Sequence, residues 1–221
     1  MTLIPNNYLA RLVGSDAIAA MSASAADEAW KSENVTKAFQ AMEALSPYMS
    51  PQTATNKYPA GQQEFALGEA AMYLNASWMP SEVADTAGDD FPWGFFAFPT
   101  VEGGAEDSGF CSVGGIPLAV YSGSKNPDAA KEFLRYVVSK EVQDYLAEMG
   151  GAPATVGSQW IGPRAECTDV IANATKVSSF NCDLSSEFVS AVFTREMNKV
   201  LTQQTTADKA VAELDSQISK Y

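Results

Sequence analysis

The sequence predicts an α/β fold that is rich in helix and carries two short sheets. Amphipathic helical patterns cover residues 125–150 and 186–203. Apolar runs of strand type are few and short, and lie at residues 71–75, 93–98 and 110–121. No stretch of the 221 residues has the composition of a linker. The absence of a linker is expected if the chain forms two lobes and each lobe is built from separate segments of the sequence.

The first third of the chain contains two predicted helices. One runs over residues 6–14 and ends at Gly14, since glycine is favoured just past a helix end. The other begins after Ser32, a good N-cap residue. Residues 1–5 are expected to be extended. Residues 16–29 are rich in alanine and serine with weak periodicity, so we expect an irregular surface segment there.

The second half carries the strongest local signals. Pro127 suits the first position of a helix, and Ser139 begins a second helix directly after it. A modest helix is expected over residues 168–175, and either Thr205 or Thr206 caps the last helix. The pair Gly114-Gly115 lies inside a predicted strand and indicates a bend or a close approach of the backbone.

The central stretch of the chain, residues 61–99, organises the predicted site. A short helix over residues 62–67 leads into the strand at 71–75, and a turn through Ser77 then presents Trp78. A strand that ends in a loop carrying an indole offers a flat apolar face to a ligand at the edge of a sheet.

Composition excludes several classes of function. The net charge of −13 disfavours nucleic acid and anionic membrane surfaces as partners. The chain has no histidine, which removes Ser-His-Asp and Cys-His nucleophiles and the commonest zinc ligand. No phosphate-binding Gly-Lys-Ser/Thr motif is present, so no cofactor is expected.

The three cysteines, Cys111, Cys167 and Cys182, have no metal-binding spacing. Pairing of Cys167 with Cys182 and two buried free thiols are equally open readings of the sequence. The first residues lack a basic region and a cleavage site, so we read no signal peptide in this chain.

Trp78 is the main candidate for binding. An indole face stacks on a sugar ring, but a tryptophan that fills the core at a strand end is an equally open reading. Asn75 and Ser77 flank it and offer hydrogen bonds, although turn formation explains both residues as well. Trp93, inside a predicted strand, is expected in the core.

The acidic pair Asp89-Asp90 is a weaker candidate. Its spacing lacks the alternating oxygen ligands of a calcium loop, and adjacent carboxylates rarely flank a glycosidic bond as a glycosidase requires. We therefore interpret it as a solvated loop and do not predict an enzyme.

Three phrases in order resemble the extracellular solute-binding proteins of bacterial ABC transporters, in the group that includes maltose-binding protein. Residues 65–78, FALGEAAMYLNASW, are similar to the family's glycine–alanine–methionine phrase that ends on tryptophan. Residues 95–99 resemble the strand that follows it. Residues 124–134, SKNPDAAKEFL, and the sequence that continues through Ser139 and Gln143 to Gly150 and Pro153 resemble the family's helix pair.

The resemblance implies a type II periplasmic-binding-protein-like fold with two α/β lobes that close on a sugar. By the same resemblance, Trp78 matches the stacking tryptophan and Asn75 the asparagine before it. The other residues that it implicates in binding are Asn6, Tyr8, Ser77, Gly114, Gly115 and Phe188.

Members of this family are longer than 221 residues. The resemblance therefore implies the C-terminal portion only, and we do not expect this chain to close on a ligand alone. Residues 1–112 and 151–221 are assigned to the C-terminal lobe, and residues 113–150 to the N-terminal lobe whose remainder is absent.

The function implied is non-catalytic binding of a mono- or oligosaccharide outside the cell, at its surface or in the periplasm, for delivery to a membrane permease. The alternative is an interaction module or lobe fragment that dimerises through its exposed apolar segment.

Overall fold

A computed structural model describes residues 3–88, 90–179, 184 and 186–221. The α-helices are α1 (Leu3–Val13), α2 (Ser15–Ala23), α3 (Glu33–Leu45), α4 (Ala60–Ala66), α5 (Met79–Glu82), α6 (Ala84–Ala87), α7 (Pro127–Val137), α8 (Lys140–Glu148), α9 (Ala165–Ala172), α10 (Thr194–Leu201) and α11 (Ala207–Ile218). Short 3₁₀ turns occupy Glu28–Lys31, Ser46–Tyr48 and Gly162–Arg164, and a π-helical turn, Val189–Phe193, leads into α10. The strands are β1 (Phe110–Val113) and β2 (Lys176–Ser179).

The hydrophobic core lies where α1, α2 and α3 pack with the π-helical turn, α10 and α11. Trp30 is at its centre, 1% exposed, with the rings of Phe188 and Phe193 at 5.0 and 5.3 Å. Its indole Nε1–H donates to the main-chain oxygen of Met21 at 2.9 Å. The indole is thus buried with its polar group satisfied, as a stable core requires.

The two strands form a parallel pair, with Phe110 opposite Lys176 and Val113 opposite Ser179. Arg11 of α1 ties this pair to the helical core by donating to the main-chain oxygens of Phe98 and Phe110 at 3.1 and 2.9 Å. The sheet is therefore anchored to the helices through a buried guanidinium.

Several helical predictions are confirmed. Gly14 follows α1 with φ 86°, the left-handed conformation that favours glycine. Ser139 caps α8 by accepting a hydrogen bond from the main-chain N–H of Val142. Ser32 and Thr206 occupy the N-cap positions of α3 and α11, although neither side chain makes a capping bond.

Three predictions about the strands are wrong in part. Residues 71–75 and 93–98 are not in a sheet, and the strand predicted over residues 110–121 stops at Val113. In residues 91–96 partly buried and exposed side chains still alternate, as in a strand. The alternating sequence pattern therefore predicts an extended backbone correctly. Strand pairing also requires a neighbouring strand, and no described residue provides one for this segment.

Other predictions are also corrected. The segment 16–29 is not irregular, because α2 covers most of it and buries Ile18 and Met21. The extended start is wrong from Leu3 onward, where α1 begins. The modest helix lies at Ala165–Ala172, and β2 follows it without having been predicted. Cys182 and Asp89 lie outside the described residues, so the pairing of Cys167 with Cys182 that the sequence left open stays open.

The region from β1 to α8 has little core of its own. No residue of α7 is buried, although the helix is strongly amphipathic. Large apolar side chains are exposed along this region: Ile116, Leu118, Tyr121, Phe133, Tyr136, Val138, Tyr145, Leu146 and Met149. Within the described ranges, no helix has the length and apolar character needed to cross a membrane.

Candidate functional site

The turn that presents Trp78 is held from behind by Arg164. The Arg164 Nε donates to the main-chain oxygen of Ser77 at 2.7 Å, and its guanidinium also donates to the Ser81 hydroxyl. Ser81 in turn donates to the main-chain oxygen of Gly150 at 2.9 Å. Arg164 is only 5% exposed. One buried side chain thus fixes the Trp78 turn against the end of α8.

Trp78 itself is open, with 40% of its surface exposed. It precedes α5, and its main-chain oxygen accepts a hydrogen bond from the N–H of Ser81 at 3.0 Å. Of the two readings left open by the sequence, a ring that plugs the core is therefore wrong. An exposed indole on a held turn is able to stack on an apolar face of a ligand.

Polar and aromatic side chains surround this turn. The Asn75 Nδ2 donates to the Gln62 Oε1 at 3.3 Å, and Gln62 is 1% exposed. Tyr73 packs its ring edge on Gly61, where an added Cβ would lie 3.2 Å from the hydroxyl. We call the following set the Trp78 cluster: Tyr58, Gln62, Tyr73, Asn75, Trp78 and Glu82.

Carboxylates shift the titration of both tyrosines in the cluster. Hydrogen bonding to the Glu82 carboxylate raises the pKa of Tyr58, since an ionised phenol would face a negative charge. Burial raises the pKa of Tyr73, and the charges of Glu64 and Glu82 add to that shift. The cluster therefore combines neutral phenol hydroxyls with negative charge.

A row of aromatic rings extends from α4 beside this cluster. The rings of Phe65 and Phe91 are 5.3 Å apart, those of Phe91 and Trp93 are 4.8 Å apart, and Trp93 and Phe95 stack at 6.0 Å. Trp93 is partly buried in this row. The prediction that it lies in the core is wrong, because the extended segment that carries it has no sheet to cover it.

The structure brings Asn75, Ser77 and Trp78 together but places the other candidates elsewhere. Asn6 is fully buried in α1, and Tyr8 packs against the helical core. Phe188 is 2% exposed, between Trp30 and the ring of Tyr221.

The two candidate glycines stand in the chain beyond β1. Gly114 and Gly115 are both exposed there. Apart from its two neighbours in the chain, no described residue has an atom within 4 Å of a Cβ added at Gly115.

Sequence reasoning missed Tyr58, Gln62, Tyr73, Glu82 and Arg164. One signal was present for Tyr73, because residues two apart in an extended segment share a face, and Tyr73 is two before Asn75. The contacts of Arg164 with Ser77 and Ser81 join positions 87 and 83 residues apart, and no local pattern reports such a distance.

Two surface cavities lie away from this cluster, beside the ends of α3 and α10. Their volumes are about 230 and 460 Å³, and Ser46 and Gln203 line both. None of the predicted site residues lines either cavity.

Comparison with known proteins assigns the family. The family model of the bacterial extracellular solute-binding proteins matches residues 7–144, which is more than half of the chain. This chain belongs to that family. Its members are binding proteins rather than enzymes, as the sequence predicts here, and their description places them outside the cell. The resemblance stated from the three sequence phrases is confirmed.

Two similar proteins bind diacetylchitobiose and a chitin oligosaccharide, according to their names. The diacetylchitobiose-binding protein DasA of Streptomyces coelicolor is 28% identical over 117 residues, which are 52% of this chain and 27% of that protein. A solved structure of a chitin oligosaccharide-binding protein superposes with a TM-score of 0.69 at 20% identity, over 99% of this chain and 56% of its own. This likeness establishes a solute-binding-protein fold. The chain spans about a quarter and about half of the lengths of these two proteins, respectively.

Proposed function

We propose that this solute-binding protein binds a carbohydrate outside the cell and delivers it to the membrane permease of an ABC transporter. The observation that carries the proposal is the exposed indole of Trp78, on a turn held by Arg164 and bordered by phenol and amide groups. The names of DasA and of the structural relative support a saccharide as the ligand.

Binding by this cluster needs no covalent chemistry. The C–H face of a sugar ring stacks on Trp78, and its hydroxyls exchange hydrogen bonds with Asn75 and the tyrosine hydroxyls. Asn75 is already oriented by Gln62 and by the N–H of Ala76, which donates to its Oδ1 at 3.0 Å. Such preorganisation lowers the entropic cost of binding.

We assign residues 1–112 and 151–221 to the C-terminal lobe and residues 113–150 to the N-terminal lobe. The exposed apolar face from Ile116 to Met149 supports this division, because the core that would cover it is expected from the other lobe. A ligand that prefers the closed arrangement of two lobes then shifts the equilibrium toward closure.

Calorimetry tests the proposal on the full product of the gene that encodes this chain. The panel contains diacetylchitobiose, chitotetraose, maltose and cellobiose. We expect micromolar or tighter binding of at least one sugar, and a loss of about tenfold or more with Trp78→Ala, since an aromatic contact contributes about 1.4 kcal/mol or more. Tyr48→Ala removes another exposed aromatic ring and serves as the control. An affinity unchanged by Trp78→Ala, or no binding of any sugar, contradicts the proposal.

A second candidate function is association of this chain with a copy of itself. The same exposed face favours it, with Ile116 94% and Phe133 63% exposed. Sedimentation of the 221-residue chain distinguishes the two proposals. A dimer that Phe133→Asp converts to monomer supports self-association, and a monomer at high concentration argues against it.

A further inference from the structure

The Trp78 cluster contains an exposed indole and an exposed carboxylate, those of Trp78 and Glu82. We propose that the Glu82 carboxylate makes this site select amino sugars and neutral sugars over acidic sugars such as uronates. This inference rests on the proposed carbohydrate function and adds the charge class of the ligand.

Glu82 stands one helical turn after the stacking residue. Its N–H donates to the main-chain oxygen of Trp78 at 3.4 Å, so both residues are parts of the same short structure. Its side chain is exposed, and its interaction with the phenol of Tyr58, which is 69% exposed, raises the pKa of that phenol. Because residues four apart lie on the same face of a helical turn, we place this carboxylate within reach of a sugar stacked on Trp78.

A second carboxylate, that of Glu64, adds to the negative charge near the cluster. Glu64 is partly buried and accepts a hydrogen bond from the Asn56 amide. Both Glu64 and Glu82 act electrostatically on Tyr73, whose ring is 39% exposed. A ligand in contact with these phenols would therefore also be subject to the negative potential of the carboxylates.

Among the described residues, no ion pair involves Glu64 or Glu82. Arg164 is 5% exposed and directs its donors to Ser77 and Ser81, behind the turn. Lys57 is exposed beside Tyr58, and within the described part of the chain no ion pair joins it to Glu64 or Glu82. The net charge of −13 on the whole chain adds to the same potential.

Charge then decides among sugars that stack equally well. The ammonium group of an amino sugar forms a charge-assisted hydrogen bond with a carboxylate and is attracted to aromatic faces. The hydroxyls of a neutral sugar donate to the same oxygens. A uronate carries a like charge and has no donor in that group, so it is repelled.

The test measures binding to the full gene product at about pH 6, where the amine is protonated. The probes are the deacetylated glucosamine disaccharide, diacetylchitobiose and digalacturonate. We expect the first two to bind at least about tenfold tighter than digalacturonate. Glu82→Gln should reduce the ratio of amino-sugar to uronate affinity about threefold to tenfold, the size of an exposed or partly exposed charge contact.

Glu69→Gln is the matched control, because it removes the same charge from an exposed glutamate in the turn that follows α4. It should leave the ratio within about twofold. On the unmodified protein, added salt should weaken amino-sugar binding and strengthen uronate binding.

Equal affinity for uronate and neutral disaccharide, or a ratio unchanged by Glu82→Gln, overturns this inference. If diacetylchitobiose binding still depends on Trp78 in that case, the proposed function stands without it. Failure of every sugar to bind overturns both.

Discussion

The guanidinium of Arg11 donates a hydrogen bond of 2.9 Å to the main-chain oxygen of Phe110, a residue 99 positions away. It also lies 5.2 Å from the centroid of the Phe110 ring. Arg11 is 1% exposed, so a full positive charge is buried at the junction of α1 and β1. Such a charge is tolerated only where hydrogen bonds and ring faces replace its hydration.

Replacement of Arg11 by methionine should therefore destabilise the protein by about 3 kcal/mol, because the buried oxygens of Phe98 and Phe110 lose their donor. Urea unfolding monitored by circular dichroism measures the change. Arg135→Met in α7 is the control, since that arginine is exposed and pairs only with a neighbouring glutamate on its own helix, and it should cost less than about 0.5 kcal/mol. Equal effects of the two substitutions would contradict the role of Arg11.

We predict that the folded protein loses stability in acid when the Glu106 carboxylate is protonated. Burial raises the pKa of this carboxyl, but hydrogen bonds from Lys176 and from the N–H of Ser15 outweigh it and hold the pKa below the ordinary value of 4.5. A group with a lowered pKa in the folded state stabilises above its unfolded pKa, and that contribution is lost as the pH falls through the folded value.

We therefore expect the urea midpoint to fall as the pH drops below about 4.5, and to fall less steeply in Glu106→Gln. Unfolding curves at a series of pH values between neutral and acid provide the measurement. Glu102→Gln, an exposed glutamate in the same loop, should keep the wild-type slope. If the two variants have the same slope, Glu106 does not contribute in this way.

The helices that could be predicted are those whose first residues are marked by nearby sequence features. Pro127 and Ser139 mark the starts of α7 and α8 within a few residues of sequence, and the structure has them there. The helix α2 was missed because only Ile18 and Met21 of its residues are buried, which is too little to create a clear periodicity.

The candidate site was predictable only at its centre. Trp78 and Asn75 were found from the strand-and-turn pattern, but the expected strand that carries Asn75 has no pairing partner, since pairing depends on residues far along the chain. Arg11 and Arg164 were missed because a buried arginine looks like a surface arginine in sequence. Only the fold reveals the main-chain oxygens that each one binds.

We predict that substitution of Gln203 by glycine and by alanine changes the stability of the protein by different amounts. It follows α10 with φ 58°, and its N–H donates to the oxygen of Val200 while the N–H of Gln204 donates to Lys199, as in a Schellman motif. Its side chain donates to the main-chain oxygen of Ser46 at 3.2 Å.

Both substitutions remove the hydrogen bond from Gln203 to Ser46, but only glycine relieves the strain of the left-handed backbone conformation. Gln203→Gly should thus be more stable than Gln203→Ala by about 1 kcal/mol in urea unfolding, and equal stabilities would show that the strain is absent.

We predict that substitution of Arg164 loosens the turn that carries Trp78 and leaves the rest of the fold intact. Lysine at this position has a single ammonium group and cannot reach both the Ser77 oxygen and the Ser81 hydroxyl as the guanidinium does. In Arg164→Lys we expect the amides of Ser81 and Val83 to exchange hydrogen about tenfold faster, and the amides of α3 and α11 to keep their rates. Hydrogen-exchange mass spectrometry resolves these segments. The control is Arg195→Lys, at an arginine of α10 that forms an ion pair with Glu196, and it should leave the turn unchanged. If exchange rises throughout the chain, Arg164 supports the whole fold rather than the turn, and if it rises nowhere, the contacts with Ser77 and Ser81 do not hold Trp78 in place.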